Sequence, residues 1–238
     1  MAVTTENVTY QVGESTFHGL FAFDQARTDR RPGVLVVHGG AGLDDHAKGR
    51  ARRFAEAGFV VFACDMYGQG VVGNRERTIQ CITELRGDRG KIRQRAQPAV
   101  DLLASHPQVD GRLAVVGYCF GGMIALELAR CGAELEGVVS VHGTLDTSGA
   151  PASEGTLKAK ILVCHGALDP HVPMTQASAF CEEMTRAHAD YQLIVYGGAM
   201  HGFTHETADG RQPGVAYHAP SDARSSAAIR TFFGEIFD

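Results

Sequence analysis

The chain contains 238 residues, of which 44% are hydrophobic and 21% are charged, a composition typical of globular proteins and too apolar for general disorder. The formal net charge of −5 provides no basic surface for nucleic acid or an anionic membrane. Neither partner is therefore expected. Glycine is over-represented, with 29 residues, which indicates many tight turns or close backbone approaches. We expect residues 1–238 to form a single α/β domain, the default for a chain of this length.

The N-terminus and the cysteines carry information on location. Residues Met1 to Glu6 lack the cationic start and apolar run of a signal peptide, and no stretch has the roughly 20 apolar residues of a membrane span. The six cysteines are widely spaced and do not match a zinc-binding pattern. The sequence therefore predicts a cytoplasmic protein with reduced thiols and no metal.

Short apolar runs alternate with helical patterns along the chain. Residues 8–12 and 16–23, separated by a turn at Gly13, predict an N-terminal β-hairpin. Six later runs rich in β-branched residues predict strands buried on both faces: 34–37, 59–62, 113–116, 138–141, 161–164 and 193–196. Helical patterns lie between them, at about 47–57, at 123–130, after Thr175 and from 221 or 222 to 236. This alternation predicts a mostly parallel sheet with helices on both faces.

Residues 71–98 form a less regular segment that is rich in basic side chains. The basic residues are Arg75, Arg77, Arg86, Arg89, Lys91, Arg93 and Arg95. A solvated helical face accounts for such a pattern. The alternative is that one or two of these arginines recognise an anionic substrate.

The run at 113–116 leads directly into Gly117-Tyr118-Cys119-Phe120-Gly121-Gly122, and a helical pattern follows at once. A strand, a sharp turn and a helix with the pattern G-x-C-x-G predict a nucleophile elbow with cysteine in the usual serine position. The sulfur would lie at a helix N-terminus, where the helix dipole favours a thiolate. No lysine followed by serine or threonine comes after these glycines, so a phosphate-binding loop is disfavoured.

Candidate acid and base residues follow two later strands. Asp169 comes after the strand at 161–164, and His201 comes after the strand at 193–196. The order nucleophile, acid, histidine is that of α/β-hydrolases. Asp146 and His205 are the weaker alternatives, because Asp146 follows the preceding strand and His205 lies farther from its strand end.

An oxyanion hole should combine the N–H group of Phe120 with one from the loop after the strand at 34–37. That loop reads His38-Gly39-Gly40-Ala41-Gly42. We expect Gly40 to be the second donor, with Gly39 or Ala41 as alternatives.

Three histidines, His38, His142 and His165, each close an apolar run before a glycine. We expect them to be strand-end residues with satisfied hydrogen bonds. No pair of histidines has convincing metal-ligand spacing.

The elbow, the loop His165-Gly-Ala-Leu-Asp169-Pro170 and the loop His201-Gly202-Phe203 resemble those of the dienelactone hydrolases, or carboxymethylenebutenolidases. The resemblance extends from about residue 34 to the C-terminal helix. It implies an α/β-hydrolase fold and hydrolysis of a small-molecule ester or lactone without a cofactor. It also implies that Cys119 is the nucleophile, His201 the base and Asp169 the residue that orients the base.

Two departures from the family pattern concern the substrate. Members that act on dienelactone typically place a glutamate beside the oxyanion loop, where this chain has Gly39. They also bind the substrate carboxylate with arginines; Arg77 matches one, whereas His205 replaces the other. The candidate substrate-binding residues are Arg77, His205 and Tyr118, and a neutral or differently shaped ester is an open alternative to dienelactone.

Other functions use the same residues. The triad could carry out acyl transfer or peptide cleavage. The sequence leaves the oligomeric state open. A non-enzymatic ligand-binding or thiol redox-sensing protein of the same fold is the alternative from a different class.

Overall fold

The computed structural model describes residues 3–238. Its eight strands are β1 (Val3–Val12), β2 (Ser15–Asp24), β3 (Arg31–Val37), β4 (Val60–Cys64), β5 (Val109–Tyr118), β6 (Gly137–Val141), β7 (Lys160–Gly166) and β8 (Tyr191–Tyr196). Its six helices are α1 (Asp45–Glu56), α2 (Arg75–Gly87), α3 (Arg89–Ala104), α4 (Phe120–Arg130), α5 (Met174–Arg186) and α6 (Ala219–Phe237).

The strands form one sheet in the order β1-β2-β4-β3-β5-β6-β7-β8. The hairpin β1-β2 is antiparallel and joins β4 in antiparallel fashion, whereas every pairing from β4 to β8 is parallel. The chain continues from β3 to β4 on one side and later reaches β5 on the other. The loops after β3 and β5 therefore meet at a topological switch point, where ligand sites of open α/β sheets are usually found.

Helices cover both faces of the sheet. Helices α2 to α5 contribute to one core, in which Phe120, Ile124 and Phe180 pack against residues such as Leu35 and Val115. Helices α1 and α6 contribute to the other, which contains Phe54, Ile229, Phe232 and Phe233. The apolar runs of β3 to β7 are buried on both faces of the sheet and read as continuous apolar runs. The expectation of two buried faces is wrong for the run at 193–196, because β8 is the edge strand and Val195 is 39% exposed. The expected hairpin, mostly parallel sheet and two helical layers are confirmed.

The basic segment at 71–98 is more regular than expected. It holds α2 and most of α3, which meet at Asp88, and the Asp88 side chain accepts a hydrogen bond from the N–H of Lys91 at the start of α3. Pro98 lies inside α3, where a proline removes one helical hydrogen bond. Its buried face, including Ile92, Ala96 and Leu103, packs into the core, so tertiary packing stabilises this helix.

No helix within residues 3–238 is both long enough and apolar enough to cross a membrane.

Candidate active site

Cys119 lies on the sharp turn between β5 and α4. Its backbone has φ 54° and ψ −117°, a conformation that is strained for any residue with a side chain and that costs about 1–3 kcal/mol. The turn is possible because glycines flank it. A Cβ atom at Gly117 would lie 1.9 Å from the carbonyl oxygen of Gly121, and one at Gly121 would lie 2.3 Å from that of Val37. The two glycines let β5, α4 and β3 approach at backbone distance.

Three side chains from three strand ends form a hydrogen-bonded chain. The Sγ atom of Cys119 lies 2.9 Å from Nε2 of His201, and Nδ1 of His201 lies 2.8 Å from Oδ2 of Asp169. The other carboxylate oxygen of Asp169 accepts hydrogen bonds from the N–H groups of His171 and Val172, at 2.8 and 3.1 Å. The Asp169 side chain is fully buried and that of His201 is 13% exposed. The carboxylate is therefore held rigidly, and the imidazole reaches the cavity.

The environment favours charge separation between Cys119 and His201. Burial alone would raise the pKa of the Cys119 thiol, but the hydrogen bond and charge of His201 outweigh it, so that this pKa is lowered. Burial alone would lower the pKa of His201, yet the hydrogen bonds to Asp169 and Cys119 raise it to about 10. Asp169 also has a lowered pKa, because the His201 contact and two backbone N–H groups outweigh its burial. Together these shifts favour a thiolate beside an imidazolium.

Two backbone N–H groups point at the sulfur of Cys119. They belong to Gly40, in the loop after β3, and to Phe120, the first residue of α4, and both lower the pKa of the thiol. The carbonyl of Gly40 accepts a hydrogen bond from the Tyr67 hydroxyl at 3.0 Å, and the carbonyl of Gly39 accepts one from Nδ1 of His38 at 2.7 Å. These contacts fix the loop in the orientation that presents the Gly40 N–H group.

Gly39 lies directly against Cys119. A Cβ atom at this position would be 3.4 Å from Cβ of Cys119 and 3.5 Å from the carbonyl oxygen of Tyr118. A side chain here would start in contact with the cysteine. With glycine, the space beside the thiol holds no carboxylate from this loop.

A cavity of about 740 Å³ opens over Cys119 and His201. Its remaining lining residues are Gly40, Ala41, Arg86, Thr144, Asp146, His171, Gln176, Gly202, His205, Thr207, Ala208, Gln212 and Val215. The lining is mixed, with one guanidinium, one carboxylate and several neutral polar groups. The size suits a small organic molecule.

The candidate substrate-binding residues are distributed unevenly around this cavity. His205 lines it, whereas Arg77 is exposed on α2, donates to the carbonyl of Gly70 at 3.4 Å and does not line it. Tyr118 is buried, with its ring 5.7 Å below the guanidinium of Arg50, and lines a separate cavity of about 400 Å³. Arg86, nine residues after Arg77 on the same helix, is the arginine that reaches the site.

The weaker alternatives for acid and base lie near the site without joining the hydrogen-bonded chain. Asp146 is exposed at the cavity and forms no hydrogen bond to His201, whose Nδ1 faces Asp169. The His205 ring is stacked on His46, with centroids 3.8 Å apart and an interplanar angle of 18°.

The three strand-end histidines differ in their hydrogen bonding. His38 is bonded at both ring nitrogens, to the carbonyl of Gly39 and the N–H of Met66. His142 is also bonded at both. The expectation is wrong for His165, because neither of its buried ring nitrogens has a hydrogen-bond partner within residues 3–238.

Two residues near the site were not singled out by the sequence, although Arg86 is among the arginines for which recognition of an anionic substrate was the alternative. Arg86 was one of seven basic residues in an irregular-looking segment, and only the 3.6-residue period of α2 could have placed it toward the sheet end. Thr204 follows the loop His201-Gly202-Phe203 and is 1% exposed. A single threonine has no pattern by which the sequence could identify it. In the part of the chain that the structure describes, no three histidine, cysteine or acidic side chains are grouped as a metal site.

Comparisons with known proteins identify the family of this chain. The model of the dienelactone hydrolase family matches residues 17–237. A curated relative from Bradyrhizobium, named as a probable 2-oxo-3-(5-oxofuran-2-ylidene)propanoate lactonase, is 31% identical over 204 residues, which are 81% of each chain. A solved dienelactone hydrolase-like promiscuous phosphotriesterase from metagenomic libraries is 40% identical, with a TM-score of 0.93 and full coverage of both chains. The solved dienelactone hydrolase of Anabaena variabilis is 21% identical, covers 99% of each chain and has a TM-score of 0.72, a likeness in fold.

Proposed function

The chain belongs to the dienelactone hydrolase family of α/β-hydrolases, whose members are ester and lactone hydrolases, and we propose that it acts through Cys119, His201 and Asp169 as a catalytic triad. Its substrate is a small-molecule carboxylic ester or lactone that enters the cavity above Cys119. The intermediate is a thioester between the substrate's acyl group and Cys119.

The observation that carries this proposal is the unbroken chain of hydrogen bonds from sulfur to carboxylate. Distances of 2.9 Å from Cys119 to His201 and 2.8 Å from His201 to Asp169 are within the reach that nucleophilic catalysis requires. The strained backbone of Cys119 supports it too, because such strain persists mainly where function needs it.

Acylation begins with attack of the Cys119 thiolate on the acyl carbonyl carbon. A C–S bond forms, and the carbonyl electron pair moves to oxygen. The N–H groups of Gly40 and Phe120 donate to this oxyanion; losing one such donor typically costs about 3–4 kcal/mol of transition-state stabilisation. When the C–O bond breaks, the His201 imidazolium gives its Nε2 proton to the leaving alkoxide. In a lactone the alcohol stays attached to the acyl group.

Deacylation uses the same residues in reverse. Neutral His201 takes a proton from water, and the resulting hydroxide attacks the thioester carbonyl within the same oxyanion hole. The C–S bond then breaks, the acid product leaves and Cys119 returns as the thiolate beside the His201 imidazolium. Asp169 holds the imidazole with Nδ1–H toward it and stabilises its positive charge.

A panel of chromogenic esters and lactones that vary in acyl size and charge tests this function, with wild type assayed beside Cys119→Ala. We expect turnover by wild type and none by the variant, with circular dichroism unchanged. Product partition with added alcohols or amines separates hydrolysis from acyl transfer. Full activity of Cys119→Ala would contradict the proposed mechanism. Reversible oxidation of Cys119 by peroxide without any esterase activity would favour redox sensing.

A second candidate activity is phosphotriester hydrolysis. The solved relative that is 40% identical over its full length is named a promiscuous phosphotriesterase. In this chain Gly39 leaves the space beside the thiol without a side chain, which favours a tetrahedral phosphorus centre with several substituents. Release of nitrophenol from an aryl dialkyl phosphate by wild type, and not by Cys119→Ala, would support this activity.

A further inference from the structure

A second series of hydrogen bonds, outside the proposed triad, connects the turn that carries Cys119 to the loop that carries His201. His142 follows β6, and Cys119 follows the neighbouring strand β5, which pairs Tyr118 with Val141. The N–H group of Cys119 donates to Nδ1 of His142 at 3.1 Å. On the other side of the ring, Nε2 of His142 lies 2.9 Å from Oγ1 of Thr204, three residues after His201.

The direction of the hydrogen bonds follows from the donors. Because the Cys119 N–H can only donate, Nδ1 of His142 is an acceptor, and its ring proton lies on Nε2 and is donated to Thr204. The Thr204 hydroxyl then donates its own proton to Nε2 of His46, 3.1 Å away, and this nitrogen also accepts a hydrogen bond from Nε of Arg50 at 3.3 Å. Each group therefore has a defined role when both histidines are neutral.

The surroundings keep this histidine neutral. His142 is fully buried, and burial, together with the positive potentials of His201, His46 and His205, lowers its pKa well below the usual value. Burial also lowers the pKa of His46 to about 3, with further contributions from His205 and Arg50. A cationic His142 would lose its acceptor for Cys119 and would lie 5.4 Å, centroid to centroid, from the His201 ring.

Thr204, at the far end of this series of hydrogen bonds, is anchored to two helices. The carbonyl of Thr204 accepts a hydrogen bond from Arg50 of α1 at 2.6 Å, and the Arg50 guanidinium lies 2.8 Å from the carboxylate of Asp222 in α6. Arg50 and Asp222 are both buried. The base loop is thus fixed at Thr204 through both its hydroxyl and its carbonyl.

Ordinary core packing does not account for His142. The Cys119 N–H group already donates to the carbonyl of Val141 at 2.9 Å, so it needs no second acceptor to be satisfied. His142 itself has φ 42°, in the left-handed region that is unfavourable for a residue with a side chain. A buried imidazole on strained backbone, placed between the nucleophile and the base loop, points to a role in the site.

We propose that His142 and Thr204 are positioning residues that tie the backbone of Cys119 to the loop of His201 and so set the contact between sulfur and imidazole. This inference rests on the proposed function of Cys119 as nucleophile. Neither residue lines the cavity over Cys119. Their effect acts through the 2.9 Å contact between Sγ of Cys119 and Nε2 of His201.

The test is the rate at which iodoacetamide alkylates Cys119, measured by peptide mass spectrometry over a range of pH, together with kcat and KM for an ester. Thr204→Val removes the hydroxyl at nearly constant volume, and Thr204→Ser restores it. We expect Thr204→Val to move the acid limb of this alkylation profile upward by about one pH unit, so that alkylation at a given pH on that limb is about tenfold slower, as a rise of one unit in the thiol pKa requires. We also expect it to lower kcat with little change in KM, and Thr204→Ser to behave as wild type.

Thr78→Val in α2 is the matched control, because it removes a part-buried threonine hydroxyl that donates to the carbonyl of Val71 and has no contact with His142 or Thr204. His142→Asn serves as a second variant if Thr204→Val does not fold. Asparagine tolerates positive φ and keeps an acceptor near the Cys119 N–H but has no reach to Thr204, so slow alkylation is again expected.

The outcomes separate the two proposals. Wild-type alkylation of Cys119 no faster than that of the partly exposed Cys131 would overturn both. If Cys119 is alkylated fast in wild type and equally fast in Thr204→Val, or in His142→Asn in its place, the positioning role is overturned. The proposed role of Cys119 as nucleophile is retained in that case. Equal impairment of Thr204→Ser and Thr204→Val would also overturn the positioning role.

Discussion

The carboxylate of Asp169 accepts a hydrogen bond from Nδ1 of His201 at 2.8 Å, and the same imidazole contacts the sulfur of Cys119 through Nε2. These two contacts outweigh the effect of burial and raise the pKa of His201 to about 10, while the pKa of Cys119 is lowered. These opposite shifts favour a thiolate on Cys119 beside an imidazolium on His201. A raised histidine pKa means that the proton is retained until the pH passes the raised value.

The pH dependence of acylation follows from this pairing. We expect the acylation rate to fall at low pH as the Cys119 thiolate is protonated, and to fall again at high pH as His201 loses its proton with a pKa of about 10. Asp169→Asn removes a contact that raises the pKa of His201, so its alkaline limb should move to lower pH. Burst kinetics with a chromogenic ester measure both limbs. An alkaline limb near the ordinary histidine pKa in wild type would contradict this pairing.

Gly117→Ala tests the close approach that forms the elbow. A Cβ atom there would meet backbone atoms of Gly121 and Gly122 at 1.9 to 2.6 Å, and backbone cannot rotate away as a side chain can. We expect a loss of about 3 kcal/mol in the free energy of unfolding, measured by urea denaturation.

Gly234→Ala in α6 is the control for this substitution, because no atom lies within 4 Å of its Cβ position. It should stabilise the protein by about 0.5–1 kcal/mol, since alanine is the better helix former. Equal effects of the two substitutions would show that the crowding at Gly117 is relieved by movement of the turn.

Arg130→Ala tests a buried ionic cluster at the end of α4. The Arg130 side chain is 1% exposed and lies 2.9 Å from Glu127 and 2.7 Å from Glu183. Removing it leaves buried carboxylates with one partner fewer, which typically costs about 3–5 kcal/mol of folding stability. Arg53→Ala is the control, because Arg53 and its partner Glu206 have side chains 54% and 56% exposed and such pairs contribute about 0–1 kcal/mol. Thermal denaturation of both variants gives the comparison, and a similar small loss in each would argue against a stabilising role for the cluster.

Arg86 and Arg77 form a matched pair for substrate charge, since both are on α2 and only Arg86 lines the cavity. With an ester that carries a carboxylate, we expect Arg86→Ala to raise KM by about tenfold, the loss of roughly 1.4 kcal/mol of binding. Arg77→Ala should leave KM unchanged, and neither variant should affect a neutral ester. The opposite pattern, with KM raised only by Arg77→Ala, would return the substrate-binding role to Arg77.

The sequence was sufficient for the sheet and for the chain order of the proposed triad. Strands such as β5 and β7 are buried on both faces and read as unbroken apolar runs, and parallel topology brings their carboxyl ends to one edge. Cys119, Asp169 and His201 could therefore be placed together from strand ends alone. The two glycines around Cys119 marked the turn because only glycine permits so close a backbone approach.

Local periodicity was not sufficient for the segment around α2 and α3 or for the surroundings of the triad. Pro98 lies inside α3, a helix that is stabilised by packing against the core, so local sequence alone does not predict it. Whether Arg86 faces the cavity depends on how α2 packs on the rest of the domain. The contact between His142 and Thr204 joins residues 62 positions apart. This contact depends on the three-dimensional paths of the two loops that carry His142 and Thr204. The residue types histidine and threonine do not predict those paths.

The most direct test of the proposed mechanism is mass spectrometry of the protein quenched in acid during turnover of a slowly deacylated ester. Wild type should gain the mass of one acyl group on the peptide that contains Cys119, and hydroxylamine should remove it. Cys119→Ala should gain none. Steady turnover with no acyl group on Cys119, or turnover by Cys119→Ala at the wild-type rate, would contradict a thioester intermediate at this residue.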